Sequence, residues 1–416
     1  MRIAVIGAGV AGLAAAYLLR RSHDVVLYEK EARCGGHART IDVIVEGVTV
    51  PVDTGFMVCN DRNYPAFRAM LTHLGVPVQP AAMSFGVTID GGWLEYGSRI
   101  PFSIFGQARN IGRPAFLGML RDIVRFNRAG ARAVRDGLAD DVGLDAWLDT
   151  IGVGTWFRRY YLLPMLACIW SAPVAGMHRV PARAYLRFLD EHGLLTVFDQ
   201  PQWRTLVGGS RCYVAALAAA LGPSVRMVAA RKIQRTADAV SIEDAHGSTE
   251  VFDQVVLACH ADEARALLAD AADDESRALG AIRYESSRVV VHADLRLMPR
   301  RRACWSCWNY VLDGRTDARP RITTTYWLDA LQSLHVPRPV FATLNPEREP
   351  NHILNDATMM HPYLDAGAFR AQAVLRQRQG QNRTWFAGAY LGYGFHEDGV
   401  QSAVAVAGAL GSAVPW

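Results

Sequence analysis

The chain has 416 residues, half of them hydrophobic and a fifth charged, which is enough for a sizeable core spread over two or three domains. A formal net charge of +4 is modest for this length and gives no reason to expect a nucleic-acid partner. The seven cysteines are scattered, and the lone C-x-x-C of Cys304 and Cys307 lacks the second pair that a structural zinc site needs, so no metal centre is expected.

An odd set of thiols without a secretion signal fits a reducing compartment. The apolar N-terminus continues into a glycine turn and an acid instead of a cleavage site, and no apolar run approaches the roughly 18 residues of a membrane span. A cytoplasmic protein is the expectation.

Arg2 to Lys30 reads as strand, tight turn, helix and second strand. Ile3–Ile6 is apolar and β-branched, and Gly7, Gly9 and Gly12 follow in G-x-G-x-x-G spacing. In that spacing the first glycine permits the turn, the second lets backbone approach a pyrophosphate, and the third lets helix and strand pack closely. The helix start around Ala11 offers free N–H groups and a positive dipole end to phosphate. Val25–Tyr28 is the second strand, and Glu29 at its tip stands where an acid accepts hydrogen bonds from a ribose diol, with Lys30 beside it. An adenine dinucleotide site is the expectation.

Next come Arg33, Gly35, Gly36, His37 and Thr40 in R-x-G-G-x-x-x-T spacing. A second glycine pair suits a chain that passes the pyrophosphate again. Asp53, Thr54 and Gly55 make a turn and lead into Phe56 and Met57. With GAGVAGL, GGHART and DTGFMV in hand, the sequence resembles the superfamily of flavoproteins that includes amine oxidases, protoporphyrinogen oxidases and phytoene desaturases. Within it, the chain is similar to a bacterial group of predicted NAD/FAD-binding oxidoreductases, itself similar to the flavin domain fused to plant cyclopropane fatty acid synthases. His37 departs from the arginine usual after the glycine pair, which implies less fixed positive charge near the cofactor.

The resemblance implies an α/β fold: a Rossmann-like FAD-binding domain of the GR2 type with a discontinuous α+β substrate domain. The FAD-binding pieces are expected at 1–75, 205–290 and 380–416, with the substrate domain at 76–204 and 291–379. Bound, non-covalent FAD is implied, since no cysteine follows Cys307.

Along the middle of the chain, Val87–Tyr96 alternates around Asp90-Gly91-Gly92 as a hairpin does. Residues 116–137 read as a helix with Arg121, Arg125, Arg128, Arg132 and Arg135 on one face: a solvated basic face, or a peripheral contact with anionic lipid at the inner membrane face. Trp156 to Trp170 is apolar and aromatic, either core or the wall of a pocket for an apolar substrate. Gly208 and Gly209 lead into a helix at the return to the flavin domain, and the resemblance places backbone near Ala230 against the adenine. Val251–Cys259 reads as one buried strand, and His260 as a structural helix opener. Strands are expected at RVVVHADL, SCWNYVLD and ITTTYWLD.

The C-terminal stretch is the second strong motif. A short strand from Thr384 ends at Gly388, and a helix is expected from about Val400, after His396, Glu397, Asp398 and Gly399. Its positive end would face the flavin edge that gains charge on reduction. The superfamily commonly carries an acid after the glycine placed at Gly388, and this chain has Ala389. Glu397 or Asp398 is therefore expected to take that cofactor contact or to cap the helix. His396, whose imidazole titrates near neutrality when unperturbed, is the candidate proton-transfer group.

No second dinucleotide motif follows a strand, so electrons are expected to enter from substrate and leave to molecular oxygen or another acceptor. Three functions remain open: oxidation of an apolar substrate such as a phospholipid acyl chain, by an oxidase or desaturase; an amine oxidase or redox-neutral double-bond isomerase; and a flavin-binding partner of a lipid methyltransferase.

Overall fold

Ile3, Ala4, Val5 and Ile6 are all buried, Ile3 and Val5 in one cluster and Ala4 and Ile6 in another. A strand buried on both faces belongs in the middle of a parallel sheet. In the computed structural model, which describes residues 1–99, 102–138, 142–170, 181–191, 193–196, 200–316 and 321–416, that is its place. Arg2–Ile6 is the central strand of a five-stranded parallel sheet, in the order Val225–Arg226, Asp24–Tyr28, Arg2–Ile6, Gln254–Leu257 and Thr384–Phe386.

Helix Val10–Leu19 covers one face and is buried at every residue, as a helix packed on all sides must be. Its neighbours are helices Arg211–Leu221 and His396–Ala409. The other face is covered by a three-stranded antiparallel sheet, Ala230–Arg235, Val240–Asp244 and Thr249–Phe252, and by helices Ala261–Leu267, Asp273–Ala281 and Ala366–Gln377. Sheet, sheet and helix stack as a Rossmann-like dinucleotide domain.

The second body is built on a seven-stranded sheet, in the order 353–363, 283–292, 341–344, 321–327, 308–313, 85–89 and 94–97. All its pairs are antiparallel except 308–313 with 85–89. The hairpin turns at Asp90, Gly91 and Gly92, all at positive φ. Val87, Ile89, Tyr310 and Leu312 meet the buried rings of Phe116, Phe126, Phe157 and Phe188 on a helical layer. The basic helix runs Pro114–Asp136. The aromatic stretch is helical too, with one wide π turn at Arg158–Leu162, and Tyr160, Leu162, Met165 and Leu166 are buried in the core.

Three sequence expectations need correction. Val251–Cys259 is two strands in different sheets, broken at Asp253, whose N–H donates to the Arg2 carbonyl at 2.8 Å and whose carboxylate accepts the Arg2 N–H at 2.6 Å. The domain junction expected at 290/291 falls inside strand Arg283–His292, which lies wholly in the seven-stranded sheet. Helix Ala366–Gln377, assigned to the substrate domain, packs Ala368, Ala371 and Leu375 into the dinucleotide-domain core.

Candidate functional site

The first turn is built by three glycines with separate duties. Gly7 sits at φ +98° and donates its N–H to the Tyr28 carbonyl at 2.8 Å. A Cβ on Gly12 would lie 1.8 Å from the Gly7 oxygen, so strand and helix pack only through glycine. A Cβ on Gly9 would meet nothing within 4 Å, so Gly9 borders open space. The N–H groups of Val10, Ala11 and Gly12 open the helix there and have no intrahelical acceptor.

The second glycine pair closes against this turn. Gly35 donates its N–H to the Ala8 carbonyl at 2.7 Å, and a Cβ on Gly36 would stand 3.3 Å from the Gly9 Cα. Glu29 is buried, with one carboxylate oxygen accepting the Ala8 N–H at 2.7 Å and the other the Glu31 N–H at 2.8 Å. A carboxylate has about four acceptor sites, so two remain for a diol. Lys30 reaches away, to Glu263 at 2.5 Å. Arg226 accepts the Glu29 N–H at 2.9 Å and the chain then leads to half-buried Ala230, which keeps Ala230 close in sequence to this acid's neighbour.

Helix His396–Ala409 brings a second positive end to the same place. A Cβ on Gly399 would lie 2.8 Å from Val10 Cγ1, so the two helices touch at their first turns, with Val400 fully buried behind. Gly388 donates to Ser402 Oγ at 2.9 Å, which ties the last strand to this helix.

The helix starts at His396, four residues before the expected Val400, and its acids are committed elsewhere. Glu397 accepts the N–H groups of Ala66 and Phe67 at 3.0 and 2.9 Å and so caps helix Pro65–His73. Asp398 accepts the N–H groups of Tyr393 and Phe395 at 3.1 and 2.8 Å and so caps its own helix. Both cap, and the cofactor contact expected to replace the acid missing at Ala389 is not made through these bonds.

His396 is buried in an aromatic box. Its ring stacks on Phe56 at 3.7 Å, meets Phe67 edge-on, and its Nε2 lies 3.0 Å from the Tyr213 hydroxyl. Burial, with His37 adding to it, holds the imidazole neutral, well below its ordinary pKa. In that environment the ring packs between Phe56 and Phe67, with its Nε2 engaged by Tyr213.

His37 stands at the mouth of the glycine turns. Its ring centroid is 5.1 Å from His361 and 6.2 Å from His260, and its buried Nε2 has no partner. Burial first, then His361 and His260, push its pKa to about 3, and burial pushes His361 to about 4. His260 stacks on Tyr284 at 4.3 Å and heads helix Ala261–Leu267, with Glu263 returning to its N–H at 3.2 Å. The loop Thr54–Met57 locks against His37: a Cβ on Gly55 would lie 2.2 Å from the His37 oxygen, which also accepts the Phe56 N–H at 2.9 Å. Thr54 hydrogen-bonds Arg39, and the Met57 carbonyl accepts from Thr205.

Sequence reasoning passed over Asp53 as a turn residue. Its buried carboxylate accepts from the Ser210 N–H at 3.0 Å, the Ser210 hydroxyl at 2.6 Å and Thr40 at 2.6 Å, while its backbone is clasped by Gln332. It pins the returning 205–221 segment to the first piece of the dinucleotide domain. His361 and Tyr213 were also missed, because only the tertiary fold brings them to the cradle. Among the described residues no cluster could hold a metal ion, and the six described cysteines are free. Cys304 is buried, with its thiol pushed up to about 12.

These residues fit FAD: an open glycine where a side chain would stand, two converging helix N-termini, an acid with free acceptor sites, and an orphaned imidazole nitrogen beside them. Known proteins agree. Residues 5–74 match the NAD(P)-binding Rossmann-like domain family, and residues 174–294 match the flavin-containing amine oxidoreductases. A Mycobacterium tuberculosis protein named as a flavin-containing monoamine oxidase, AofH, is 31% identical over 257 residues, 60% of this chain and 54% of that protein. The chain thus spans about half the length of the curated relatives it matches.

Among solved structures, a CLA-producing fatty acid isomerase from P. acnes superposes with a TM-score of 0.69 at 17% identity, covering 97% of both chains. Putrescine oxidase bound to putrescine gives 0.68 at 15% over 99% of both. A protein named as a protoporphyrinogen oxidase, from Exiguobacterium, gives 0.69 at 17% over 98% of both. At such identities these matches speak for the fold. Fold, family matches and cradle together support an FAD-dependent oxidoreductase of the superfamily that contains the flavin amine oxidases.

Proposed function

We propose that the protein is an oxidoreductase that oxidises an uncharged, apolar substrate of the acyl-chain class. FAD, when bound, supplies the hydride acceptor, and molecular oxygen or a second acceptor removes the electrons. The carrying observation is the chemistry of the interior in front of the second helix. Phe395, at the N-cap of helix His396–Ala409, stacks on Phe188 at 5.3 Å, and Tyr393 meets Phe188 and Phe369 edge-on. Tyr161 packs against Phe85 and Phe157 in the same aromatic core.

Among the described residues, the buried carboxylates are committed to internal partners. Glu95 holds Arg301 and the Arg300 N–H, Asp122 the Gly154 N–H, Glu275 holds Arg235, and Asp294 holds Arg296. Asp53 and Glu397 are held as described above, and the acceptor sites that Glu29 keeps lie at the dinucleotide turn, not before the aromatic interior. A substrate ammonium would need an anion or an aromatic cage; an acyl chain needs only the rings.

A flavin amine oxidase is the second reading, favoured by the M. tuberculosis relative and by Tyr393 and Phe395 as cage candidates. An anaerobic absorbance spectrum decides between them. Bleaching of the flavin by bacterial phospholipid extract, with recovery in air, is the expected result. Bleaching by simple amines alone would establish the amine reading. A flavin that stays oxidised with both would move the protein to the isomerase class or to service of a partner enzyme such as a lipid methyltransferase.

A further inference from the structure

Helix Pro114–Asp136 has one face in the core and one in water. At 100° per residue, Phe116, Met119, Asp122, Phe126, Asn127 and Gly130 fall on one side, and all six are buried. Leu117, Arg121, Val124, Arg125, Arg128 and Arg132 fall on the opposite side, and all six are exposed.

That face is unlike an ordinary solvated surface, which mixes both signs of charge. Its arginines have almost no anions. Asp122 lies 3.7 Å from Arg121 and 4.0 Å from Arg125, but it is buried and its other oxygen caps the Gly154 N–H at 2.9 Å. Among the described residues no carboxylate pairs with Arg128, Arg132 or Arg135.

The face is also not purely charged. Leu117 and Val124 lie within the stripe and are 45% and 39% exposed. At the helix's N-terminal end Ile111 is 58% exposed, and Phe102 is 81% exposed on the loop that Phe105 ties to Phe116.

We propose that this face is a docking surface for an anionic lipid bilayer, the arginines meeting headgroup phosphates and Leu117 and Val124, within the stripe, entering the acyl boundary. Arginine density alone would suit any polyanion. The exposed apolar side chains favour the bilayer over nucleic acid, whose phosphate backbone offers them no apolar phase. No helix among the described residues is long and apolar enough to span a membrane, so the contact is peripheral. The proposal stands apart from the choice of substrate, since only surface residues enter it.

Flotation of the holoprotein with lipid vesicles tests it. Vesicles of phosphatidylcholine with about one-third phosphatidylglycerol should bind the protein, pure phosphatidylcholine vesicles should not, and added salt should release it. Near a membrane surface each arginine contributes roughly fivefold in affinity, so Arg121→Gln, Arg128→Gln and Arg132→Gln combined should weaken binding by about a hundredfold. Leu117→Ser, at an exposed position within the stripe, should weaken it severalfold on the same vesicles. Equal binding to both vesicle types, binding to neither, an unchanged triple variant, or tighter binding to duplex DNA than to the anionic vesicles would each overturn the proposal.

Discussion

His37 stands where the wider superfamily carries arginine, and its burial makes a definite prediction about pH. The native ring is pushed to about 3 by desolvation and the neighbouring histidines, while an unfolded imidazole titrates near 6.5. Between those two values the unfolded chain binds a proton that the native chain excludes. Stability is therefore intact above about pH 6.5 and falls as pH drops toward 3, at up to about 1.4 kcal/mol per unit for this one group. From about pH 7 to about pH 5 the loss due to His37 alone is on the order of 2 kcal/mol. His361, pushed to about 4 by burial, adds a loss of the same sign.

His37→Gln keeps a polar side chain of similar reach and removes the titration. The assay is the denaturant midpoint of flavin-free wild type and variant at the two pH values. Wild type should lose about 2 kcal/mol more than the variant on acidification. Equal losses would refute the buried, neutral histidine. Bound pyrophosphate acts in the opposite sense, favouring the protonated ring, so FAD should protect wild type more at the lower pH than the variant.

The glycines separate fold from cofactor. Gly12→Ala drives a Cβ to 1.8 Å of the Gly7 oxygen and should prevent accumulation of folded protein, whereas Gly9→Ala, whose Cβ would meet nothing within 4 Å, should fold normally and lose at least about tenfold in FAD affinity by fluorescence titration. Glu397→Ala removes the cap of helix Pro65–His73 and should cost about 1–2 kcal/mol in thermal unfolding while the flavin spectrum of the folded protein is unchanged. His396→Phe should leave turnover within about twofold and cost about 1–3 kcal/mol, because it orphans the buried Tyr213 hydroxyl. A large loss of turnover with stability intact would restore a chemical role for that ring.

What the sequence showed and what it hid divide along local and tertiary lines. Gly7, Gly9, Gly12 and Glu29 were legible because a tight turn, a helix start and an acid at a strand tip are requirements of neighbouring residues. The break at Asp253 was not, since its bond partner Arg2 is 251 positions away. Nor could a sequence say which N–H groups Glu397 would find: they lie on a helix 330 positions earlier. The domain junctions misplaced near 290 and 380 failed for the same reason, as a strand and a helix declare their sheet only by packing.

The two departures from the superfamily make physical sense together. One full positive charge is absent at His37 and one full negative charge at Ala389, so the local balance of charge is kept while both fixed ions are gone. The side-chain charges that remain near the cradle are already engaged: Lys30 by Glu263, Arg33 by the Gly36 carbonyl, and Glu397 and Asp398 by backbone N–H groups. Attraction for a pyrophosphate then rests on the N–H groups and half-charges of two helix N-termini that meet at Gly399 and Val10. Such groups are fixed by the fold, whereas burial holds His37 and His361 beside them neutral. An anion bound next to His37 would favour its protonated form, so the protection by FAD expected at the lower pH is the direct test of how near the pyrophosphate comes to that ring.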